Sequence, residues 1–172
     1  MVYKTYKPSN RQFGLRTRKL SVNTSIIIIN IVLFIAFYIL LISNESFIDY
    51  IALKPANILA GMYLWTFLTS MFMHAGFWHI FANMFSLFFL GMLVERIIGS
   101  KRYLWFYLIS GLFSGLLFVL SAFIFPADMN TYAVGASGAL FGLVGLLVIL
   151  TPNLPVYVMF IPIPIKMKYA DS

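Results

Sequence analysis

Residues 77–94 read FWHIFANMFSLFFLGMLV, an uncharged run close to the ~20 residues that carry a helix across a hydrocarbon core. Its polar members are not scattered. His79, Asn83 and Ser86 stand at i, i+4 and i+7, so a helix would carry them on one face. In hydrocarbon such a face must turn toward protein or a water-filled cavity, because unsatisfied polar groups there are expensive. The stripe fits interhelical hydrogen bonding, worth about 0.6 kcal/mol per contact, as well as it fits an active site.

Three further runs of similar character surround it: Ile26–Ile42, Tyr103–Phe125 and Tyr132–Leu150. With 62% apolar and only 10% charged residues, the chain is expected to be an all-α, polytopic transmembrane helix bundle. Absence of cysteine removes disulfides and thiolate metal sites, and two histidines with five acidic residues are too few and too dispersed for a metal cluster. Neither metal nor cofactor is expected. The net charge of +7 does not point to nucleic acid, since no soluble fold is available to present it to phosphate.

The basic residues speak instead of orientation. Lys4, Lys7, Arg11, Arg16, Arg18 and Lys19 fall within residues 1–24, which read as a cytoplasmic tail of a multi-pass protein of the cell membrane. The tail is too long and basic for a cleaved signal peptide. Ile58–Met73 is also uncharged, but allowing it to span would put Arg96, Lys101 and Arg102 outside. With residues 44–76 as an outer connection instead, eleven of the twelve basic residues are cytoplasmic and Lys54 is the exception. His79, Asn83 and Ser137 then share one depth near the outer face.

Ser137 lies in Gly135-Ala136-Ser137-Gly138. Flanking glycines let a backbone approach closely, and Gly138, Gly142 and Gly145 recur along one helical face, as a packing seam would. Gly111 and Gly115 form a second seam of that kind. A buried serine in this setting is a candidate nucleophile, and a nucleophile needs a base.

These residues together resemble the rhomboid family of intramembrane serine proteases. Gly135-Ala136-Ser137-Gly138, His74, and His79-Ile-Phe-Ala-Asn83 carry the resemblance, with Glu95-Arg96-Ile97-Ile98-Gly99 and Phe160-Ile161-Pro162-Ile163-Pro164 following in the family's order. Residues 25–172 would be an incomplete rhomboid-like membrane domain holding four of the usual six core helices. The resemblance implies an endopeptidase that cleaves transmembrane protein substrates near the outer face. Ser137 would be the nucleophile, His79 and Asn83 would stabilise the oxyanion, Gly135 and Gly138 would allow backbone approach, and His74 would support the outer connection. The alternative is a catalytically inactive relative that binds membrane clients.

Two departures from the family carry consequences. Trp65-Thr66 stands where the family has Trp-Arg, so that arginine's hydrogen bonds are not implied. The family also continues through two more helices, the last supplying the histidine that pairs with the serine. As written, the chain is therefore expected to be inactive alone, with the glycine face of its fourth helix left as an open seam that favours self-association or a chain supplying the missing helices. A fifth span over Leu154–Lys168 is not expected, because Pro155, Pro162 and Pro164 interrupt it.

Overall fold

A computed structural model describes residues 20–151, 155–157 and 164–166. Four helices organise them: α1 (Val22–Ser43), α2 (Phe77–Ile98), α3 (Ser100–Ser121) and α4 (Ser137–Leu150). The first three are long and apolar enough to cross a membrane. The basic tail, residues 1–19, and most of the Phe160–Pro164 motif lie outside the described residues. Beyond α4, β1 (Pro155–Tyr157) pairs antiparallel with β2 (Pro164–Lys166).

α1 begins four residues before the expected Ile26, because its polar first turn is paid for by partners. The Ser21 side chain accepts from the Thr24 amide, and the Glu95 carboxylate accepts from the Val22 and Asn23 amides at 2.9 Å each. Asn23 is itself fully engaged, donating to the Leu87 carbonyl at 2.9 Å and accepting from the Tyr103 hydroxyl at 2.6 Å. At that level α2 widens into a π turn over Leu87–Gly91. Insertion of the Asn23 amide into the α2 carbonyl ladder accounts for it, and Gly91 supplies the room: a Cβ there would strike Asn23 and the Tyr103 hydroxyl.

α2 runs on through Glu95 to Ile98, four residues past the expected Val94, since Glu95 turns inward as this cap. Gly99, at φ 82°, is the single residue between α2 and α3. α3 is shifted from the expected 103–125 to 100–121, its last turn giving way before Pro126.

The largest departure is at the fourth span. Residues 132–135 are not helical, because Ala133 pairs with Leu53 through two backbone hydrogen bonds and Gly135 holds φ 112°, and Ala136 turns the chain into the helix. α4 therefore starts at Ser137 and is about 21 Å long at ~1.5 Å per residue, short of a ~30 Å hydrocarbon core.

Residues 44–76 join α1 to α2 through short turns at Ile48–Ile51, Pro55–Leu59, Thr66–Thr69 and Ser70–Phe72. Ile58–Met73 forms no continuous helix. This connection is seated on α3, where the missing side chain of Gly111 admits Met71 and that of Gly115 admits Leu53 and Phe67. Trp65 donates to the Tyr50 carbonyl, Thr69 to the Ile51 carbonyl, and Thr66 to the Tyr63 carbonyl. Small polar groups and an indole thus satisfy carbonyls in the stretch where the family's arginine is absent.

The expected open seam on α4 needs correction. A Cβ on Gly138 or Gly142 would collide with Ser114 or Ser110, so these glycines pack against α3; Gly145 alone of the three faces open space, beside exposed Phe141 and Ile149. The core lies between the helices and includes Ile26, Met84, Leu87, Val94, Tyr107, Leu143 and Leu147. Large apolar side chains on the outer faces of the helices remain exposed, as hydrocarbon-facing surfaces do.

Candidate active site

Three tethers shape the chain ahead of Ser137. The Leu53 amide donates to the Ala133 carbonyl and the Ala133 amide to the Leu53 carbonyl; two residues on, the Gly135 amide donates to the Ser70 carbonyl at 2.8 Å. Tyr132 is held by its hydroxyl, which donates to Asp49 at 2.9 Å. The backbone then enters α4 with Ser137 as the first helical residue. Ala136 cannot cap by side chain, so the first amides of α4 are left without intrahelical partners, at the positive end of the helix dipole.

His79 occupies the first turn of α2. Its Nδ1 accepts from the Ala75 amide at 3.3 Å, so in the neutral ring Nε2 carries the proton. That Nε2, like Cε1, lies 2.8 Å from the point where a Cβ on Gly135 would stand, and the Ser137 Oγ lies 3.8 Å from the same point. A glycine at 135 is needed twice over, for its positive φ and for the space that lets the imidazole approach the serine.

Ser137 Oγ makes no hydrogen bond among the described residues. It opens on a cavity of about 220 Å³ whose walls include Ser70, Met71, Ser114, Gly135 and Gly138. Gly138 thus borders this cavity while packing on Ser114.

Asn83 is buried one turn along α2. Its amide donates to the His79 carbonyl at 2.8 Å, and its Oδ1 has no partner. It is close to His79 but forms no hydrogen bond to Ser137. His74 lies beside His79, ring centroids 5.2 Å apart and edge to face, with Phe34 on another side. Both of its ring nitrogens are buried without a hydrogen bond. Burial, and secondarily the neighbouring His79, lower its pKa to about 4 against a smaller opposing pull from the Phe72 backbone, so it is neutral near pH 7.

Ser86, the third member of the stripe, is half-buried and joins none of this. Sequence reasoning missed the Ala75 amide, the Ser70 carbonyl and the Asp49–Tyr132 bond. The first two are main-chain groups with no residue signature, and the third joins residues far apart in sequence.

Residues 61–169 match the family model described as the rhomboid domain. The chain belongs to the rhomboid family. Its matched region holds His74, His79, Asn83 and Ser137, whereas α1 and the residues around Asp49 precede it. This rhomboid is 45% identical over 82 residues to RHOMBOID-like protein 1 of Arabidopsis thaliana, covering 48% of the chain and 20% of that relative. It is 35% identical over 83 residues to Rhomboid-like protease 1 of Toxoplasma gondii, covering 48% and 27%. It is also 34% identical over 82 residues to a protein named Inactive RHOMBOID-like protein 8 of Arabidopsis thaliana, covering 48% and 22%. The matches thus span between a fifth and about a quarter of these relatives' lengths. As a rhomboid with three membrane-length apolar helices, it is a membrane protein.

Proposed function

We propose that this rhomboid contributes a serine endopeptidase site that cleaves transmembrane protein substrates within or beside the bilayer. The observation that carries the reading is the pairing of an unbonded Ser137 Oγ with the proton-bearing Nε2 of His79 across the gap left by Gly135. Attack of Ser137 Oγ on a peptide carbonyl would place negative charge on the carbonyl oxygen. The Ser137 amide at the start of α4 and His79 Nε2–H are two donors of the kind that stabilise it, each such donor being worth about 2.7–4 kcal/mol in the transition state. Asn83 would join them after turning from its own helix carbonyl.

His79 in this tautomer donates and so does not take the serine proton, and His74 is buried against Phe34 and His79. Neither of the two histidines in the sequence is then the acceptor, and the reading requires a base from outside these 172 residues. In this reading Ser137 and His79 lie toward the extracytoplasmic face of the cell membrane, with the basic N-terminus in the cytoplasm.

Fluorophosphonate labelling in native membranes tests the reading directly. Labelling of the wild type and not of Ser137→Ala is expected; an unlabelled but folded wild type would overturn it. A second reading, an inactive rhomboid that binds membrane clients, is favoured by the lack of any base hydrogen-bonded to Ser137 and by similarity to a relative named inactive. Its mark is client capture that survives Ser137→Ala.

A further inference from the structure

The Ser137 end of the molecule contains a polar cluster unrelated to the proposed chemistry. A single oxygen, Oδ1 of Asp49, accepts from Asn57 Nδ2 at 2.9 Å and from the Tyr132 hydroxyl at 2.9 Å, and lies 3.7 Å from the Lys54 ammonium. Lys54 also stands 5.0 Å from the centroid of the Tyr132 ring and 3.5 Å from its hydroxyl. Asp49, Lys54 and Asn57 come from the long connection, and Tyr132 from the extended segment that leads into α4. The cluster therefore joins two stretches that are also held together by the Leu53–Ala133 bridge, by the Gly135–Ser70 hydrogen bond and by packing of Tyr132 and Val134 on Ile51, Ala52 and Met73.

We infer that Asp49 and Tyr132 are positioning residues for Ser137: their hydrogen bond locks the strand whose register sets the nucleophile against His79. The inference rests on the serine endopeptidase reading and extends it to Tyr132 and to Asp49, the latter outside the matched family region.

The mechanical reason is local. Ser137 follows Tyr132–Gly135, a segment with no helical hydrogen bonds of its own ahead of α4. His79 is carried by α2 and fixed through Ala75. No hydrogen bond joins the two side chains, so their separation is set by the packing of α4 on α3 through Gly138 and Gly142 and by what holds the segment ahead of it: Tyr132 by side chain, Ala133 by the bridge, Gly135 by Ser70. Of these hydrogen-bonded fastenings the first joins two side chains, and Tyr132→Phe removes it while leaving the main chain and the packing of the ring beside Val134 on Ile51, Ala52 and Met73 in place. Reaction geometry is steep, a displacement of ~1 Å costing on the order of 10²-fold in rate. Asp49 also carries the charge that makes this bond stronger than a neutral one.

The test compares wild type, Tyr132→Phe, Asp49→Ala and the double variant of the full chain in lipid nanodiscs. Two measurements are made on each: hydrogen exchange of the peptide containing Ala133 and Gly135, and the rate of fluorophosphonate labelling at Ser137. Tyr132→Phe removes one hydroxyl and leaves the ring, so the protein stays folded. Each single variant should exchange faster at Ala133 and Gly135 and label about tenfold more slowly. The double variant should match the slower single one, because the Asp49–Tyr132 bond is already lost in either. The labelling loss should fall on the maximal rate and not on half-saturation by the reagent.

Unchanged exchange in both single variants would overturn the inference, as would faster exchange with wild-type labelling. Wild type that fails to label while the variants exchange faster would instead overturn the endopeptidase reading and leave the tether established. Additive losses in the double variant would show that the two residues act separately, against the proposal.

Discussion

The two ends of this bundle treat polar groups in opposite ways. At the Glu95 end the groups that cap the helices have partners: Glu95 accepts from two α1 amides and, at 2.6 Å, from the Ser100 hydroxyl, and Asn23 bridges Leu87 and Tyr103, while farther along α1 and α3 the Asn30 Oδ1 and the Tyr107 hydroxyl are buried without a hydrogen bond among the described residues. At the Ser137 end His74 has two buried nitrogens without a hydrogen bond, Asn83 has a free Oδ1, and Ser137 has no partner. Buried polar groups are normally satisfied, and an unsatisfied one costs about 1–3 kcal/mol. The contrast separates a fastening from a site. Polar residues at the first end stabilise helix packing, whereas under the proposed function those at the second would meet a substrate.

Substitutions can break that comparison at either end. The largest effect belongs to Ser137→Ala, which should abolish turnover of a transmembrane substrate, by about 10⁶-fold on the scale of a lost nucleophile, while leaving the unfolding midpoint in a mild detergent unchanged. His79→Ala should come next. Loss of one oxyanion donor lowers the maximal rate by about 10²–10³-fold, with substrate half-saturation little altered in steady-state assays.

Glu95→Ala should reverse the pattern. Two amides and a hydroxyl lose their acceptor, so stability in denaturant titrations should fall by about 3 kcal/mol, and activity per folded molecule should not change. Should Glu95→Ala instead silence folded protein, the division between fastening and site would be wrong.

The smallest effect concerns acidity. His74 is held neutral with a pKa of about 4, below the ordinary histidine value of 6.5. The unfolded chain therefore binds more protons than the folded one between those values, and stability is fully present above about pH 6.5 and declines as pH falls toward 4. Thermal unfolding across that range should show the decline, and His74→Phe should flatten it.

Much of this was legible without coordinates. Apolar runs of spanning length and the absence of charge within them announced a helical membrane protein, since hydrocarbon leaves few other ways to satisfy a backbone. The ordered motifs about His79, Asn83 and Ser137 announced the family. The limits of α1 and α2 were less legible, for one reason: a polar residue that looks like a terminus was satisfied from a distance. Asn23 extends α1 because Glu95, far along the chain, accepts its amide, and Glu95 remains in α2 for the same bond.

The reverse error occurred at Tyr132–Ala136. That stretch is apolar enough to read as helix, yet Asp49, Leu53 and Ser70 hold Tyr132, Ala133 and Gly135 out of it. Nor could a glycine pattern say which neighbour it admits; Gly138 and Gly142 admit α3.

By itself, then, the sequence determined the helical class, the residence in a membrane, the family and the residue types available for chemistry, because each follows from composition, periodicity or a local motif. Tertiary structure alone decided which nitrogen of His79 bears the proton, how close it stands to Ser137 across Gly135, and that a tether through Asp49 holds the strand between. Those are relations among groups on separate segments, and they exist only once the long connection and the segment before α4 have been brought into contact.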